Sequence, residues 1–162
     1  MTFDQAVVQN FKSRKITFWI RVSGISMNPI IKDRDMVLVL PLEHYSVGDV
    51  VVRQFKKTLL IHRIVKVKKK KGGIEFYIRG DNLGKFDIVA KPDEIVGCIK
   101  MIKRRGIQYE FKNKYKLCIA KISYLNGLVW ELYCTGHPFA KHIICILSLI
   151  MKRILKKSEK TY

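Results

Sequence analysis

The segment ITFWIRVSGISMNP, residues 16–29, decides the fold because a strand-like run leads directly into a turn that carries a serine. The apolar and β-branched residues from Ile16 to Val22 are typical of a β-strand. Gly24 and Pro29 then predict a turn, and Ser26 lies within it. A hydroxyl presented at the end of a strand is well placed to act as a nucleophile. In isolation, however, a serine in such a turn is more often only a turn residue.

Short runs rich in Val, Ile, Phe and Tyr recur from residue 16 to about residue 112, and turn residues separate them. Runs at this spacing, with no long helix between them, predict a mainly β protein with an antiparallel, partly closed β-fold. The predicted strands are Ile16–Val22, Met36–Leu40, Asp49–Phe55, Leu59–Val67, Ile74–Arg79, Ile95–Lys103 and Ile107–Phe111. The lysine run 68–71 before Gly72-Gly73 predicts a solvated hairpin tip.

Both ends of the chain differ from this β pattern. Residues 1–15 predict a short helix or arm. Residues 113–162 have apolar residues at helical spacing, and Gly136-His137-Pro138 predicts a break between two helices. We therefore divide the chain into an N-terminal arm (1–15), a β-domain (16–112) and a basic helical extension (113–162).

The net charge of +19 is the most unusual feature of the composition. It comes from 32 Lys and Arg against 13 Asp and Glu, and it is spread along the whole chain. Such a charge favours anionic partners, which are membrane surfaces or nucleic acid, without choosing between them. The hydrophobic content of 48% argues against a disordered chain.

The second predicted helix of the extension has apolar residues followed by a basic end. This pattern suits interfacial binding to an anionic membrane, but it equally suits packing on the β-domain or on a partner protein. The basic residues are Lys152, Arg153, Lys156 and Lys157.

The four cysteines show no C-x-x-C spacing, so we expect no metal site and no cofactor. They lie among apolar residues, which predicts free buried thiols in a reducing compartment. We find no secretory signal and no apolar stretch long enough to span a membrane. The sequence therefore predicts a cytoplasmic protein or one bound peripherally to a membrane.

A serine needs a base to become a nucleophile at neutral pH. His62, in the middle of a predicted strand, is the best candidate, although a lone strand histidine is often only a hydrogen-bonded core residue. A carboxylate must then hold the imidazole in one tautomer. Asp81 and Asp87, both in the loop after a predicted strand, are the candidates.

Four motifs occur in order: Ser-Met-x-Pro at Ser26, Gly-Asp-Val-Val at 48–51, His-Arg-Ile-Val at 62–65 and Gly-Asp-Asn at 80–82. This series resembles the signal peptidase I / LexA-like serine peptidase superfamily, over about residues 18–103. The resemblance implies a largely antiparallel β-fold and a nucleophile at Ser26, immediately before Met27.

The same resemblance implies the other roles in the site. The base position holds His62, as in archaeal and endoplasmic-reticulum signal peptidases, where bacterial enzymes and LexA-type repressors have lysine. Asp87 maps onto the orienting aspartate, and Asp81 would then order the loop. Gly24 is the LexA-like choice two residues before the nucleophile, which leaves the Ser26 backbone N–H as the assigned oxyanion donor.

Several departures from the family pattern narrow the expected substrate. The family usually has Gly-Asp where this chain has Arg34-Asp35, which predicts an altered turn. There is no N-terminal membrane anchor, no helix-turn-helix segment and no Ala-Gly or Cys-Gly pair before Ser26. We therefore expect cleavage of a separate leader, signal or precursor peptide. The alternative is a non-catalytic module that binds an anionic membrane or, less favoured, nucleic acid.

Overall fold

The computed structural model describes residues 5–83, 89–111 and 116–159. A short helix precedes a β-region, and two long helices follow it. The helices are α1 (Gln5–Ser13), α2 (Lys116–Cys134) and α3 (Ala140–Glu159). The strands are β1 (Phe18–Arg21), β2 (Met36–Leu40), β3 (Val50–Phe55), β4 (Thr58–Lys70), β5 (Gly73–Arg79), β6 (Val89–Ala90), β7 (Ile95–Arg104) and β8 (Ile107–Glu110).

The eight described strands form one antiparallel sheet in the order β1-β2-β7-β3-β4-β5-β6, with β8 paired to β7. Strand β7 is the centre of this arrangement, because it pairs with β2, with β3 and with β8. The described strands at the two ends of the path, β1 and β6, do not pair with each other. The predicted antiparallel β-fold with a C-terminal helical part is confirmed.

Strands β4 and β6 differ most from the sequence prediction, whereas the bounds of the other strands agree within two residues. Strand β4 runs on to Lys70, because its lysines pair with the start of β5 while their side chains stay in solvent. The predicted hairpin tip is therefore confirmed, with Lys71 and Gly72 as the turn. Strand β6 was not predicted, since two residues are too few to produce a sequence pattern.

Hydrophobic residues cover both faces of the sheet. Val50 and Val52 of β3 belong to one core cluster, whereas Val51 between them belongs to the other. Alternation along a strand places neighbouring side chains on opposite faces, so this strand is buried on both sides. The first cluster also contains Met27 and Ile119, and it therefore joins the Ser26 loop and helix α2 to the sheet.

Helix α1 confirms the short-helix interpretation of the N-terminal arm. The Phe11 and Phe18 rings stack with their centroids 4.8 Å apart, which fastens the helix to the start of β1. Lys12 Nζ donates hydrogen bonds to the carbonyl oxygens of Pro92 and Asp93 at 3.0 and 3.1 Å. These contacts connect the start of β1 and the turn before β7 to the same helix.

Helices α2 and α3 form a hairpin that packs partly on the β-domain. Buried residues of α2, such as Ile119 and Ser123, face the sheet. Arg79 at the end of β5 is fully buried and donates to the Ser123 carbonyl and hydroxyl oxygens, both at 2.6 Å. Ile154 of α3 packs against the first core cluster. None of the helices in the described ranges combines the length and apolar character needed to cross a membrane.

The cysteine prediction is wrong for three of the four thiols. Cys118, Cys134 and Cys145 lie on the outer surfaces of α2 and α3 and are exposed. Apolar neighbours in the sequence do not make these thiols buried, because a helix can bury Ile119 and leave the adjacent Cys118 in solvent. Cys98 on β7 is buried, and desolvation raises the pKa of its thiol to about 11. The Cys98 thiol is therefore neutral at physiological pH.

Candidate active site

The loop after β1 holds Ser26 through its neighbours. Val22 N–H donates to the Asp35 carbonyl at 2.8 Å, which continues the pairing beyond the end of β1. Gly24 has φ +108°, a conformation that glycine adopts without strain, and it turns the chain toward Ser26. Met27 is buried in the first core cluster, so the half-buried Ser26 is fixed on its C-terminal side.

Gly24 contributes shape to this loop rather than a free donor. Its N–H donates to Asp33 Oδ1 at 2.9 Å. The amide is thereby held by a carboxylate of the same loop.

The turn at Arg34-Asp35 is stabilised by the carboxylate of Asp35. Arg34 has φ +68°, in the left-handed region that glycine adopts more easily than other residues. Asp35 is buried and accepts hydrogen bonds from Arg104 Nε at 2.8 Å and Arg104 Nη2 at 2.7 Å. It also accepts from the Lys32 N–H at 2.7 Å. These bonds hold the turn in a conformation that a non-glycine residue does not favour.

His62 lies on β4 opposite Val51 of β3 and is only 6% exposed. Its neighbour Arg63 is fully buried and has a different set of partners, described below. His62 borders a groove, and the same groove is bordered by Ser26. The structure therefore places the predicted nucleophile, in the loop after β1, and the predicted base, on β4, in the lining of the same groove.

The groove has a volume of about 590 Å³ and is largely apolar. Residues 19–24 and residues 58–62 line it, together with Ser26, Met27 and Met36. Because both runs are consecutive, backbone groups as well as side chains border the groove. Among the described residues that line it, Arg21 is the one with a permanent charge.

Asp81 is held by a buried arginine. Arg63 Nε donates to Asp81 Oδ1 at 2.8 Å, and Arg63 Nη2 donates to Asp81 Oδ2 at 2.7 Å. Both side chains are fully buried, and Arg63 Nη1 also donates to the Gly48 carbonyl at 2.8 Å. Both oxygens of the Asp81 carboxylate are thus engaged by Arg63, which favours the loop-ordering role for Asp81 over contact with His62.

The ordered loop contacts the backbone of the nucleophile. Asn82 N–H donates to the Ser26 carbonyl oxygen at 2.7 Å, and Asn82 Nδ2 donates to the Ile25 carbonyl at 3.2 Å. The Gly-Asp-Asn motif therefore supports the serine loop, and Arg63 holds the motif in place through its hydrogen bonds to Asp81. Asp87, the predicted orienting carboxylate, lies outside the described residues.

The sequence analysis missed the supporting arginines Arg63, Arg79 and Arg104. The available signal was that two of them interrupt apolar strand patterns, at positions where a charge requires a buried partner. Which carboxylate or carbonyl each would bind depends on long-range packing. In the described part of the chain, no group of three or more His, Cys, Asp or Glu side chains is arranged to hold a metal ion.

The comparison with protein families matches residues 1–100 to the Peptidase S24-like family. The match covers the N-terminal helix, the serine loop and the strands up to the middle of β7. The chain belongs to the Peptidase S24-like family. This membership agrees with the LexA-like resemblance and with the fold, and it assigns a peptidase class at the level of the family. No curated protein matches the chain at a significant level.

The close approach of Gly80 to the backbone of Ser26 predicts that any side chain at position 80 destabilises the protein. A Cβ atom at this position would lie 2.8 Å from the Ser26 carbonyl oxygen and 2.9 Å from Leu83 Cδ1. We expect Gly80→Ala to lower the free energy of unfolding by about 1 to 3 kcal/mol, because the backbone at Ser26 must shift. Thermal and urea unfolding measure this change.

Gly72→Ala is the matched control, since a Cβ atom there meets nothing within 4 Å. It should leave the stability nearly unchanged. Equal effects of the two substitutions would show that the close contact between the Gly-Asp-Asn loop and Ser26 is not formed.

Proposed function

We propose that this S24-like protein is a serine endopeptidase that cleaves a leader, signal or precursor peptide. The observation that carries the proposal is that Ser26 and His62 border the same groove. Ser26 is half-buried and His62 is mostly buried, so both stand at the floor or wall of a concave site rather than on an open surface.

The groove suits a peptide in extended conformation. Among the described strands, β1 pairs only with β2, and the Thr58–His62 half of β4 pairs only with β3. Among the described strands, residues 19–21 of β1 and residues 58–61 of β4 therefore pair with a strand on one edge only, and both segments line the groove. A peptide placed between them would receive backbone hydrogen bonds from a strand edge, as in other cases of β-strand addition.

The proposed reaction is acyl transfer. Ser26 Oγ attacks the scissile carbonyl carbon while His62 takes the hydroxyl proton, and the Ser26 N–H faces the developing oxyanion. His62 then gives the proton to the leaving amine, which departs as the new N-terminus. Water, deprotonated by His62, attacks the acyl-enzyme and releases the new C-terminus and Ser26. Asp87 is proposed to orient the imidazole and stabilise its charged form.

The lining of the groove indicates the class of substrate. Apolar residues from both strands, including Trp19, Ile20 and Leu60, favour a segment with apolar or small side chains beside the cleaved bond. Acidic side chains elsewhere in the substrate would be attracted by the net charge of +19. The proposed substrate is therefore an extended, apolar region within a longer and overall neutral or acidic peptide.

A peptide-library experiment tests the proposal. The full-length protein is incubated with a library of unfolded peptides, and new termini are identified by mass spectrometry. We expect cleavage at apolar or small residues by the wild-type protein and none by Ser26→Ala. Cleavage that persists in Ser26→Ala would assign the activity to a contaminating peptidase. No cleavage by the wild-type protein of any member, at high enzyme concentration, would contradict the proposal.

A further inference from the structure

Exposed apolar side chains are concentrated on the hairpin of α2 and α3. Of the fifteen large hydrophobic residues that are exposed in the described part of the chain, ten lie between Leu117 and Ile150. A soluble protein rarely leaves so many large apolar side chains together in water without a partner. The ten are Leu117, Leu125, Leu128, Leu132, Tyr133, Phe139, Ile143, Ile146, Leu149 and Ile150.

The end of the hairpin projects beyond the sheet. The buried residues of α2 end at Gly127, and residues 131–139 are all exposed. The contacts that attach the hairpin to the β-domain lie at the other end. They include the bonds from Arg79 to Ser123 and the packing of Ile154 on the core. The hairpin therefore has an attached base and a free tip.

The base and the tip of the hairpin also differ in charge and in hydrophobicity. Between Lys121 and Lys141 the sequence has no lysine or arginine and one acidic residue, the exposed Glu131, while the exposed Lys141 lies at the tip end of α3. The other basic residues of the two helices lie near the start of α2 and near the end of α3, which are adjacent in an antiparallel hairpin. The hairpin is thus mostly apolar toward its tip, where Glu131 and Lys141 are the charged residues, and strongly basic at its base.

We propose that this tip is a docking surface for an anionic lipid bilayer, with apolar residues inserted below the headgroups and the basic base at the headgroup level. From Lys121 to Leu132, helix α2 rises about 17 Å. The exposed Glu131 and Lys141 limit the insertion to the roughly 5 to 10 Å that is typical of interfacial helices, so the tip enters one leaflet without crossing the bilayer. The arrangement matches interfacial anchors that combine apolar burial with basic residues.

The net charge selects a lipid surface over a second copy of the chain. Two copies that each carry +19 repel each other as they approach, whereas an anionic bilayer attracts the same charge. The surface acts independently of Ser26 and His62, because it lies on the C-terminal helices and the groove lies between β1 and β4. The two proposals therefore fail or succeed separately.

Vesicle flotation with the full-length protein tests the docking surface. One set of vesicles contains phosphatidylcholine alone, and the other contains roughly 30 mol% phosphatidylglycerol. The test variant carries Leu128→Ser, Leu132→Ser and Phe139→Ser. The matched control carries Ile16→Ser, Ile74→Ser and Ile107→Ser, with side chains of similar exposure in the β-region and its N-terminal connection. Circular dichroism and thermal unfolding establish that both variants are folded.

We expect the wild-type protein to float with the anionic vesicles and to bind the neutral vesicles much more weakly. The hairpin variant should bind the anionic vesicles about tenfold more weakly, whereas the control should bind like the wild type. Equal binding by the hairpin variant and the control would overturn the proposal, as would equal binding to both types of vesicle. Sedimentation equilibrium is measured in parallel. A wild-type dimer that the hairpin substitutions dissociate, together with no vesicle binding, would assign the surface to self-association instead.

Discussion

Replacement of Ser26 by alanine is expected to lower kcat/KM for peptide cleavage by roughly 10⁴-fold or more, because the covalent route is lost. His62→Ala should produce a loss of the same order, since the serine hydroxyl is a poor nucleophile without a base. The double variant should be no slower than Ser26→Ala, because the two groups act as one unit. Steady-state rates on a peptide identified from the library measure all three effects.

Ser23→Ala is the matched control for these variants. Ser23 lies three residues before the nucleophile, is exposed and also lines the groove. Its loss should change kcat/KM only slightly. If Ser23→Ala reduced activity as much as Ser26→Ala, the assignment of the nucleophile would be wrong. If the losses from Ser26→Ala and His62→Ala multiplied in the double variant, the two side chains would not act in the same step.

Replacement of Asp81 by asparagine is expected to lower the free energy of unfolding by about 3 to 5 kcal/mol. The substitution keeps the shape of the side chain but leaves the fully buried Arg63 guanidinium without its counter-charge. Removal of one partner from a buried ion pair costs more than the pair itself contributes, because the remaining charge stays desolvated. Urea unfolding measures the change. The dependence of the unfolding free energy on urea concentration should remain that of the wild type.

The exposed pair of Lys15 and Glu43 supplies the control for this experiment. Its atoms are also 2.7 Å apart, but the two side chains are 69% and 72% exposed. Glu43→Gln should therefore leave the stability unchanged within error. The double variant Arg63→Met with Asp81→Leu should recover most of the loss, because no buried charge remains. An Asp81→Asn protein as stable as the wild type would contradict the buried pair.

The Asp81 variants also test whether the Arg63–Asp81 pair positions the loop that contacts Ser26. The loop that Arg63 fixes carries Asn82, whose N–H bonds the Ser26 carbonyl. In the double variant, the fold can be stable while this loop is held less precisely. We expect its kcat/KM to fall although its stability is restored. This outcome separates a positioning role of the pair from a purely structural one.

Most of the fold was predictable because strand signals are local. Met36–Leu40 was predicted with its observed bounds, and the break at Gly136-His137-Pro138 correctly divided α2 from α3. These segments combine apolar periodicity with clear turn residues. Strand β6 was missed because it consists of two residues that pair only through the tertiary fold.

The site was predictable in part, for a different reason. Ser26 and His62 were identified by motif order, and their meeting at one groove depends on the pairing of strands that are distant in sequence. The partners of Arg63 and Arg79 could not be predicted, because a buried guanidinium binds whichever acceptors the packing supplies. The left-handed turn at Arg34 was also not predictable, since Asp35 and its contact with Arg104 impose it.

Covalent labelling of Ser26 tests the central claim most directly. The full-length protein is treated with a fluorophosphonate probe, digested and analysed by tandem mass spectrometry. We predict one adduct on the peptide that contains Ser26, absent in Ser26→Ala, strongly reduced in His62→Ala and retained in Ser23→Ala. A folded wild-type protein that forms no adduct, or that carries the adduct on Ser23, would contradict the account.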